Sequence, residues 1–292
     1  MKTIGRRSFI RQAIAGAGAA ALPWACNGAS QVDTPAGSFA ADDRVALGKT
    51  GIVVSRLALG SGTHGVGRSS NQTRIGLDNF VGIIRHGFER DLIFWDTADQ
   101  YGSHTYFREV LKHVPREKVV ILTKSTAREP GQMRQDLERF RQELGTELID
   151  ILLLHCMTEE NWPAKLRDTM DVVSEAREQG ILRSCGVSCH SLAALQAAAR
   201  DPWTEVILTR LNHAGVAMDA EPEQVLPVLR EAHGNGKAVI AMKIVGVGKL
   251  KDQIDRSLGF VLARDFVDAF TIGFESPQEL DQMIQKIAAV RA

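Results

Sequence analysis

From about residue 43 onward, short apolar runs alternate with segments of helical pattern along the chain. The runs are almost continuously hydrophobic, which is typical of strands that are buried on both faces of a parallel sheet. The intervening segments place apolar residues three and four positions apart, which predicts helices. The eight runs predicted to be strands are Arg56–Gly60, Leu92–Asp96, Val119–Lys124, Asp150–His155, Arg183–Ser188, Val206–Asn212, Ala238–Lys243 and Ala269–Gly273.

Eight successive strand–helix units predict an α/β fold in which a parallel sheet closes into a (β/α)8 TIM barrel. The predicted helices include Pro163–Gln179, one that begins at Glu221, and Pro277–Val290 at the end of the chain. Ahead of the first strand, the turn Gly48–Gly51 separates two β-prone segments and predicts an N-terminal β-hairpin. We expect one barrel domain over residues 41–292, since about 250 residues suffice for such a barrel.

Residues 1–40 differ in composition from the rest of the chain, with four basic residues and one acidic residue. The pair Arg6-Arg7 precedes a weakly apolar run rich in alanine and glycine, in the order typical of a twin-arginine export signal. We therefore expect a signal peptide and linker over residues 1–40, with cleavage after Ala40 and a periplasmic location. An amphipathic first helix is the alternative, and lipid attachment at Cys26 is disfavoured because its preceding residues Leu-Pro-Trp-Ala make a poor lipobox.

The charge of the chain excludes one class of partner. The formal net charge is zero, and the part after residue 40 carries 31 basic and 34 acidic residues. No basic stretch indicates nucleic-acid binding.

Without Cys26, three cysteines remain, an odd number that cannot all pair within the chain. Cys185 and Cys189 are four positions apart, about 13 Å in extended chain and too far for a disulfide. We expect Cys156, Cys185 and Cys189 to be buried thiols.

Polar residues occupy the C-terminal ends of the predicted strands, where the reactive groups of a (β/α)8 barrel collect. Such residues are unusual after apolar strands, because charges are rarely buried without partners. We therefore predict the active site at this end of the barrel. The strand-end residues are Asp96, Lys124, His155, Ser188, Asn212 and Lys243.

Several of these residues lie in stretches that resemble the aldo-keto reductase superfamily. The stretches are LGKTGIVVSRLALGSGTHG, FWDTADQYG, ILTKS, ILLLHC and ILRSCGVSCHS, and the resemblance covers about residues 44–292. It implies a nicotinamide-dependent oxidoreductase acting on a small-molecule carbonyl or alcohol substrate. The motif positions imply a catalytic tetrad of Asp96, Tyr101, Lys124 and His155.

The chemistry explains this choice of residues. A phenol with a pKa of about 10 is a poor acid–base group near neutrality, and a neighbouring ammonium lowers that pKa. Tyr101 is therefore predicted to donate the proton, Lys124 to lower its pKa, and Asp96 to anchor Lys124. His155 is predicted to orient the carbonyl by a hydrogen bond.

The resemblance also implies a nucleotide site, with NADP as the expected cofactor and NAD as a possible one. The preference for NADP over NAD is weak, because the arginine that many relatives use against the 2′-phosphate is absent and Met283 replaces a common asparagine. Cys189 likewise replaces an asparagine of the carboxamide site, where His190 could substitute. The expected cofactor-binding residues are Ser188, His190, Asn212, Lys243, Gly246, Gly248, Gly273 and Ser276.

The segment Gly60–Gly65 fits the pattern G-x-G-x-x-G after a strand. A dinucleotide-binding turn would open a helix and precede an acidic residue about 20 positions on, and neither is found. We interpret the segment as a loop on the substrate side and predict that His64 lines the substrate pocket.

Two other functions remain open. A non-catalytic barrel that binds nicotinamide nucleotide is compatible with the altered carboxamide site. A metal-dependent hydrolase or isomerase is suggested by the number of histidines, but the sequence lacks a strand-one His-x-His motif and a carboxylate-rich set of strand ends. We therefore predict no metal site. The twin-arginine translocation machinery is the only macromolecular partner predicted.

Overall fold

The computed structural model describes residues 38–291. The predicted twin-arginine motif and Cys26 lie outside the described residues, so the export signal stays a prediction. Among the helices of the described part, none combines the length and apolar composition that crossing a membrane requires.

Eight parallel strands close into a barrel, and each strand pairs with its neighbours in chain order. The last strand closes the barrel against the first, with Phe270 opposite Leu57 and Gly273 opposite Gly60. Every predicted strand overlaps an observed one, so the predicted (β/α)8 barrel is confirmed. The barrel strands are β3 (Leu57–Gly60), β4 (Phe94–Asp96), β5 (Val120–Ser125), β6 (Ile149–Met157), β7 (Leu182–Cys189), β8 (Val206–Arg210), β9 (Ala238–Met242) and β10 (Ala269–Gly273).

The predicted N-terminal hairpin is also confirmed. Its strands β1 (Arg44–Ala46) and β2 (Val53–Ser55) pair antiparallel in a sheet of their own. Leu47 and Ile52 are buried and join the hydrophobic cluster inside the barrel. Gly48 lies at φ +47° in the turn, and a Cβ there would meet the backbone nitrogen of β9 at 2.5 Å. The hairpin therefore packs against the barrel at a point that only glycine permits.

Two of the three predicted helices are found where expected, at Pro222–Gly234 and Pro277–Ala289. The segment predicted as the single helix Pro163–Gln179 breaks at Leu166, which leaves helical dihedral angles at φ −107° and ψ 17°. The helices are α1 (Asn71–Arg74), α2 (Leu77–Phe88), α3 (His104–Val110), α4 (Pro130–Leu144), α5 (Trp162–Lys165), α6 (Arg167–Glu178), α7 (Leu192–Arg200), α8 (Pro222–Gly234), α9 (Ile254–Leu262) and α10 (Pro277–Ala289).

Strand β6 continues two residues beyond its predicted end at His155. Its register with β7 shifts between Leu154 and Met157, and Cys156 adopts a positive φ of 61° in this irregularity. Cys185 and Cys189 are free and buried, as predicted, but Cys156 is half-exposed. The prediction that all three thiols are buried was therefore wrong at Cys156.

Candidate active site at the mouth of the barrel

Three ionisable side chains reach the barrel axis because strand residues alternate between two faces. Asp96, Lys124 and His155 each stand two positions after a residue whose side chain fills the barrel interior. They therefore continue the inward-facing rows of β4, β5 and β6 and finish them at the C-terminal mouth. The interior residues two positions earlier are Phe94, Leu122 and Leu153.

Lys124 and Asp96 form a buried ion pair at the base of the site. The Lys124 ammonium also donates to the carbonyl of Thr97 at 2.7 Å, and the Thr271 hydroxyl donates to Asp96 Oδ2 at 2.9 Å. Burial disfavours the ammonium, but Asp96 and Tyr101 outweigh it and raise the pKa of Lys124. The lysine is therefore charged at neutral pH, with its position fixed by two acceptors.

Tyr101 ends a 3-10 turn, Asp99–Tyr101, that follows β4. The Lys124 Nζ atom lies 4.8 Å from the centroid of its ring, and the His155 ring stands edge-on at 5.9 Å. The structure thus brings all four predicted tetrad residues together. Burial raises the pKa of Tyr101 above 10.0, and Lys124 opposes that increase without reversing it. Lys124 thus acts on the pKa of Tyr101 in the predicted direction, but burial, which the sequence did not show, outweighs it.

His155 is 5% exposed, and its Nδ1 has no hydrogen-bond partner among the described residues. Burial lowers its pKa well below the ordinary value, and the charges of Lys124 and His190 act in the same direction. His155 is therefore a neutral imidazole at physiological pH, with one ring nitrogen as donor and the other as acceptor.

A partly buried network that the sequence did not indicate supports the turn carrying Tyr101. His104 contacts Glu143 Oε2 through Nδ1 at 2.9 Å and Thr123 Oγ1 through Nε2 at 2.7 Å. Asp99 accepts from Arg139 at 2.6 Å within the same group of charges. Because Thr123 directly precedes Lys124, the network joins the turn to the strand bearing the lysine.

A cavity of about 410 Å³ opens beside Tyr101 and Asp96 and runs along the loops after β9 and β10 toward α10. Four of the predicted ligand-binding residues line it: His64 from the loop after β3, Lys243 and Gly248 after β9, and Gly273 at the end of β10. The cavity thus extends the tetrad into a cleft long enough to receive a ligand larger than a small carbonyl.

Residues 57–291 match the model of the Aldo/keto reductase family. The chain belongs to this family. Aldo-keto reductase AFTS1 of Alternaria alternata is 26% identical over 246 residues, which cover 70% of this chain and 65% of that protein. The NADH-specific methylglyoxal reductase of Escherichia coli K12 is 25% identical over 239 residues, covering 73% of this chain and 70% of that protein.

Solved structures agree with this fold. The holo form of aldo-keto reductase AKR11C1 from Bacillus halodurans has a TM-score of 0.69 at 18% identity, covering 86% of this chain and 92% of that one. At this identity the likeness shows the shared barrel alone.

Two residues expected at the family's carboxamide site take part in other contacts. The Ser188 hydroxyl accepts from the backbone N–H of Cys156 at 2.9 Å and is fully buried. His190 accepts from Arg210 at Nδ1, 2.6 Å away, and its Nε2 lies 3.7 Å from the Cys156 sulfur. Burial and Arg210 lower the pKa of His190 to about 3. Since Arg210 can only donate, the ring proton of His190 lies on Nε2.

Three further predicted cofactor residues lie outside the cavity wall. Asn212 is buried and bonds the backbone of Val216, donating at 2.7 Å and accepting at 3.1 Å. Ser276 caps α10 by accepting from the N–H of Glu279 at 3.2 Å. Gly246 packs near Val216 at φ +56°. These residues shape the loops that border the cavity, and their assignment to nucleotide binding stays a prediction.

Two groups of side chains have the spacing of metal ligands, but arginine side chains already contact members of both groups. They are His155, Cys156 and His190, and Asp99, His104 and Glu143. In the first group, Arg210 fixes the proton on His190 Nε2, the nitrogen that faces Cys156. In the second, Arg68 and Arg139 already neutralise the carboxylates.

Proposed function

We propose that the protein is an NAD(P)-dependent oxidoreductase that transfers a hydride between nicotinamide and a small carbonyl or alcohol substrate. The observation that carries the proposal is the convergence of Lys124, Asp96 and His155 around Tyr101, with Tyr101 and Asp96 lining the cleft. Membership of the aldo/keto reductase family supports it.

Carbonyl reduction builds negative charge on the substrate oxygen, which must then receive a proton. The raised pKa of Tyr101 keeps its phenol protonated at neutral pH, so it is available as the general acid. The Lys124 ammonium near its ring stabilises the phenolate that remains after proton transfer. Neutral His155 supplies a hydrogen bond that orients the carbonyl oxygen. In alcohol oxidation Tyr101 acts as the base.

The cleft fits a dinucleotide. Lys243 and Lys251 line it and offer two ammonium groups to phosphate oxygens, while Ile244 and Met283 provide apolar wall. Gly248 adopts φ +84°, and no atom lies within 4 Å of where its Cβ would be, so the loop backbone is accessible there. When bound, the nucleotide supplies or receives the hydride. NADP is the proposed cofactor. NAD is the alternative, and the NADH specificity of the E. coli relative favours it.

Fluorescence titration with NADPH and NADH, followed by loss of nicotinamide absorbance with a panel of aldehydes and ketones, tests the proposal. Lys243→Met should weaken nucleotide binding by about tenfold or more, because it removes a charged hydrogen-bond donor. Lys249→Met is the matched control, since Lys249 is an exposed lysine of the same loop that does not line the cavity. Binding without turnover of any carbonyl would instead identify a non-catalytic nucleotide-binding barrel.

We also propose that the protein is exported to the periplasm by the twin-arginine translocation machinery, with nucleotide bound before export. That route carries folded proteins, and Arg6-Arg7 precede an apolar run in the required order. Replacing both arginines by lysine should leave the protein in the cytoplasm, and normal export of that variant would refute the signal. Mass spectrometry of protein from the periplasm should detect nucleotide; nucleotide-free protein would refute loading before export.

A further inference from the structure

The loop Gly60–Gly65 after β3, here called the glycine loop, encloses the ring of Tyr101. A Cβ on Gly62 would lie 2.3 Å from Tyr101 Cε2 and 2.4 Å from Cζ. A Cβ on Gly65 would lie 2.3 Å from Cδ1 and 2.8 Å from Cε1, along the other edge of the ring. Carbon atoms without a bond between them approach to about 3.5 Å. Neither methyl group fits while the ring stays in place.

The backbone of the glycine loop does not itself require glycine at these two positions. Neither Gly62 nor Gly65 adopts a left-handed conformation, unlike many other glycines of the described chain. The absence of a side chain is therefore demanded by the Tyr101 ring and not by the loop conformation. The Tyr101 ring thus accounts for two of the three glycines by which the segment resembles a phosphate-binding motif.

Both partners in this contact are fixed by other bonds. The Ser61 N–H and hydroxyl each contact the carbonyl of Asp96 at 3.0 Å, and the Gly65 N–H donates to the Gly62 carbonyl at 3.0 Å. In the turn, the Tyr101 N–H donates to the Ala98 carbonyl at 3.0 Å and the Gly102 N–H donates to the Asp99 carbonyl at 3.1 Å. A larger residue in the slot thus moves the ring more readily than it moves the loop or the turn.

We propose that Gly62 and Gly65 are positioning residues whose missing side chains form a slot that holds the Tyr101 ring beside Lys124 and His155. The inference rests on the proposed role of Tyr101 as proton donor. Displacing a reacting group by about 1 Å lowers turnover by about 100-fold. Gly62→Ala and Gly65→Ala should therefore act chiefly on kcat.

The test compares Gly62→Ala and Gly65→Ala with Gly82→Ala, an exposed glycine of α2 with no atom within 4 Å of its Cβ position. We expect kcat for a carbonyl substrate to fall by about 10- to 100-fold in the two loop variants and to stay unchanged in the control. Nucleotide affinity should stay within about threefold, well below the tenfold that corresponds to losing one charged contact. The limb of the pH–rate profile that reports the tyrosine should move, because the ring no longer sits beside Lys124. An unchanged kcat in both loop variants would overturn the proposal.

A double-mutant cycle with Tyr101→Ala separates the slot from the reaction. Gly62→Ala should lower the melting temperature when Tyr101 is present and have no effect when Tyr101→Ala has emptied the slot. Equal destabilisation in both backgrounds would overturn the slot, because the methyl group would then be clashing elsewhere. If the cycle shows coupling but the wild-type protein reduces no carbonyl, the contact between the two glycines and the Tyr101 ring is supported. The proposed function and the positioning role of the two glycines in catalysis are then refuted.

Discussion

Replacing Lys124 by methionine tests the chemistry at the base of the site. The wild-type ammonium is fully buried and bonds both Asp96 and the Thr97 carbonyl. Methionine fills a similar volume but provides no donor, so one carboxylate oxygen and one carbonyl lose their partner. Among the described residues, the Asp96 carboxylate then keeps the bond from the Thr271 hydroxyl to Oδ2.

The expected loss of stability is large. Removing one partner of a buried ion pair costs about 3–5 kcal/mol, a large part of the roughly 5–15 kcal/mol that stabilises a typical fold. For a domain of this size the melting temperature should fall by about 6–20 °C. Lys286→Met is the matched control: its pair with Asp255 is 2.7 Å long but exposed, with 40% and 77% of the two side chains accessible. Its loss should cost less than about 1 kcal/mol.

Thermal unfolding of Lys124→Met, Lys286→Met and the double variant Asp96→Asn/Lys124→Met decides the point. The double variant should recover much of the lost stability, because no unpaired carboxylate stays buried. The pH–rate profile of Lys124→Met should also change shape, since the ammonium no longer opposes the burial that raises the pKa of Tyr101. Equal melting temperatures for the two lysine variants, or an unchanged pH–rate profile, would refute the reasoning.

Two further predictions follow from groups near the site. The contacts of Glu143 with His104 and Arg68 outweigh burial and lower the pKa of Glu143 from 4.5 to about 2. The resulting stabilisation is present above about pH 4.5 and is lost as the pH falls through 2. Glu143→Gln should therefore lower the melting temperature at neutral pH but not at pH 2. A difference in melting temperature that does not depend on pH would contradict this. Of the three cysteines among the described residues, Cys156 should react rapidly with a thiol reagent and Cys185 and Cys189 should not, because both are buried; rapid labelling of all three would contradict the structure.

The barrel could be predicted because its signal is local. Each strand is a short apolar run, and alternation along β4 places Asp96 on the same inward face as Phe94. Because all eight strands of such a barrel run in the same direction, Lys124 and His155 at their C-terminal ends must both lie at the same mouth. Motif spacing added Tyr101, whose turn has no hydrophobic pattern of its own.

The features that sequence reasoning missed depend on contacts distant in the chain. His104 and Glu143 are 39 positions apart, and each by itself resembles an ordinary helical residue. Cys156, which is partly exposed, lies within a register shift between β6 and β7, and such a shift depends on the pairing of two strands distant in the chain. The net direction of the Tyr101 pKa depended on how deeply the ring is enclosed, and that required the glycine loop in three dimensions.

The proposed function depends above all on Tyr101 as the proton donor. The most direct test of that claim is the turnover of Tyr101→Phe, measured beside its affinity for the reduced nucleotide. The phenyl ring fits the same slot, so folding and nucleotide affinity should stay close to those of the wild-type protein. The account predicts that carbonyl reduction falls by about 10²–10⁴-fold, the usual contribution of general acid catalysis. Turnover within about threefold of the wild-type value, far above that range, would contradict it.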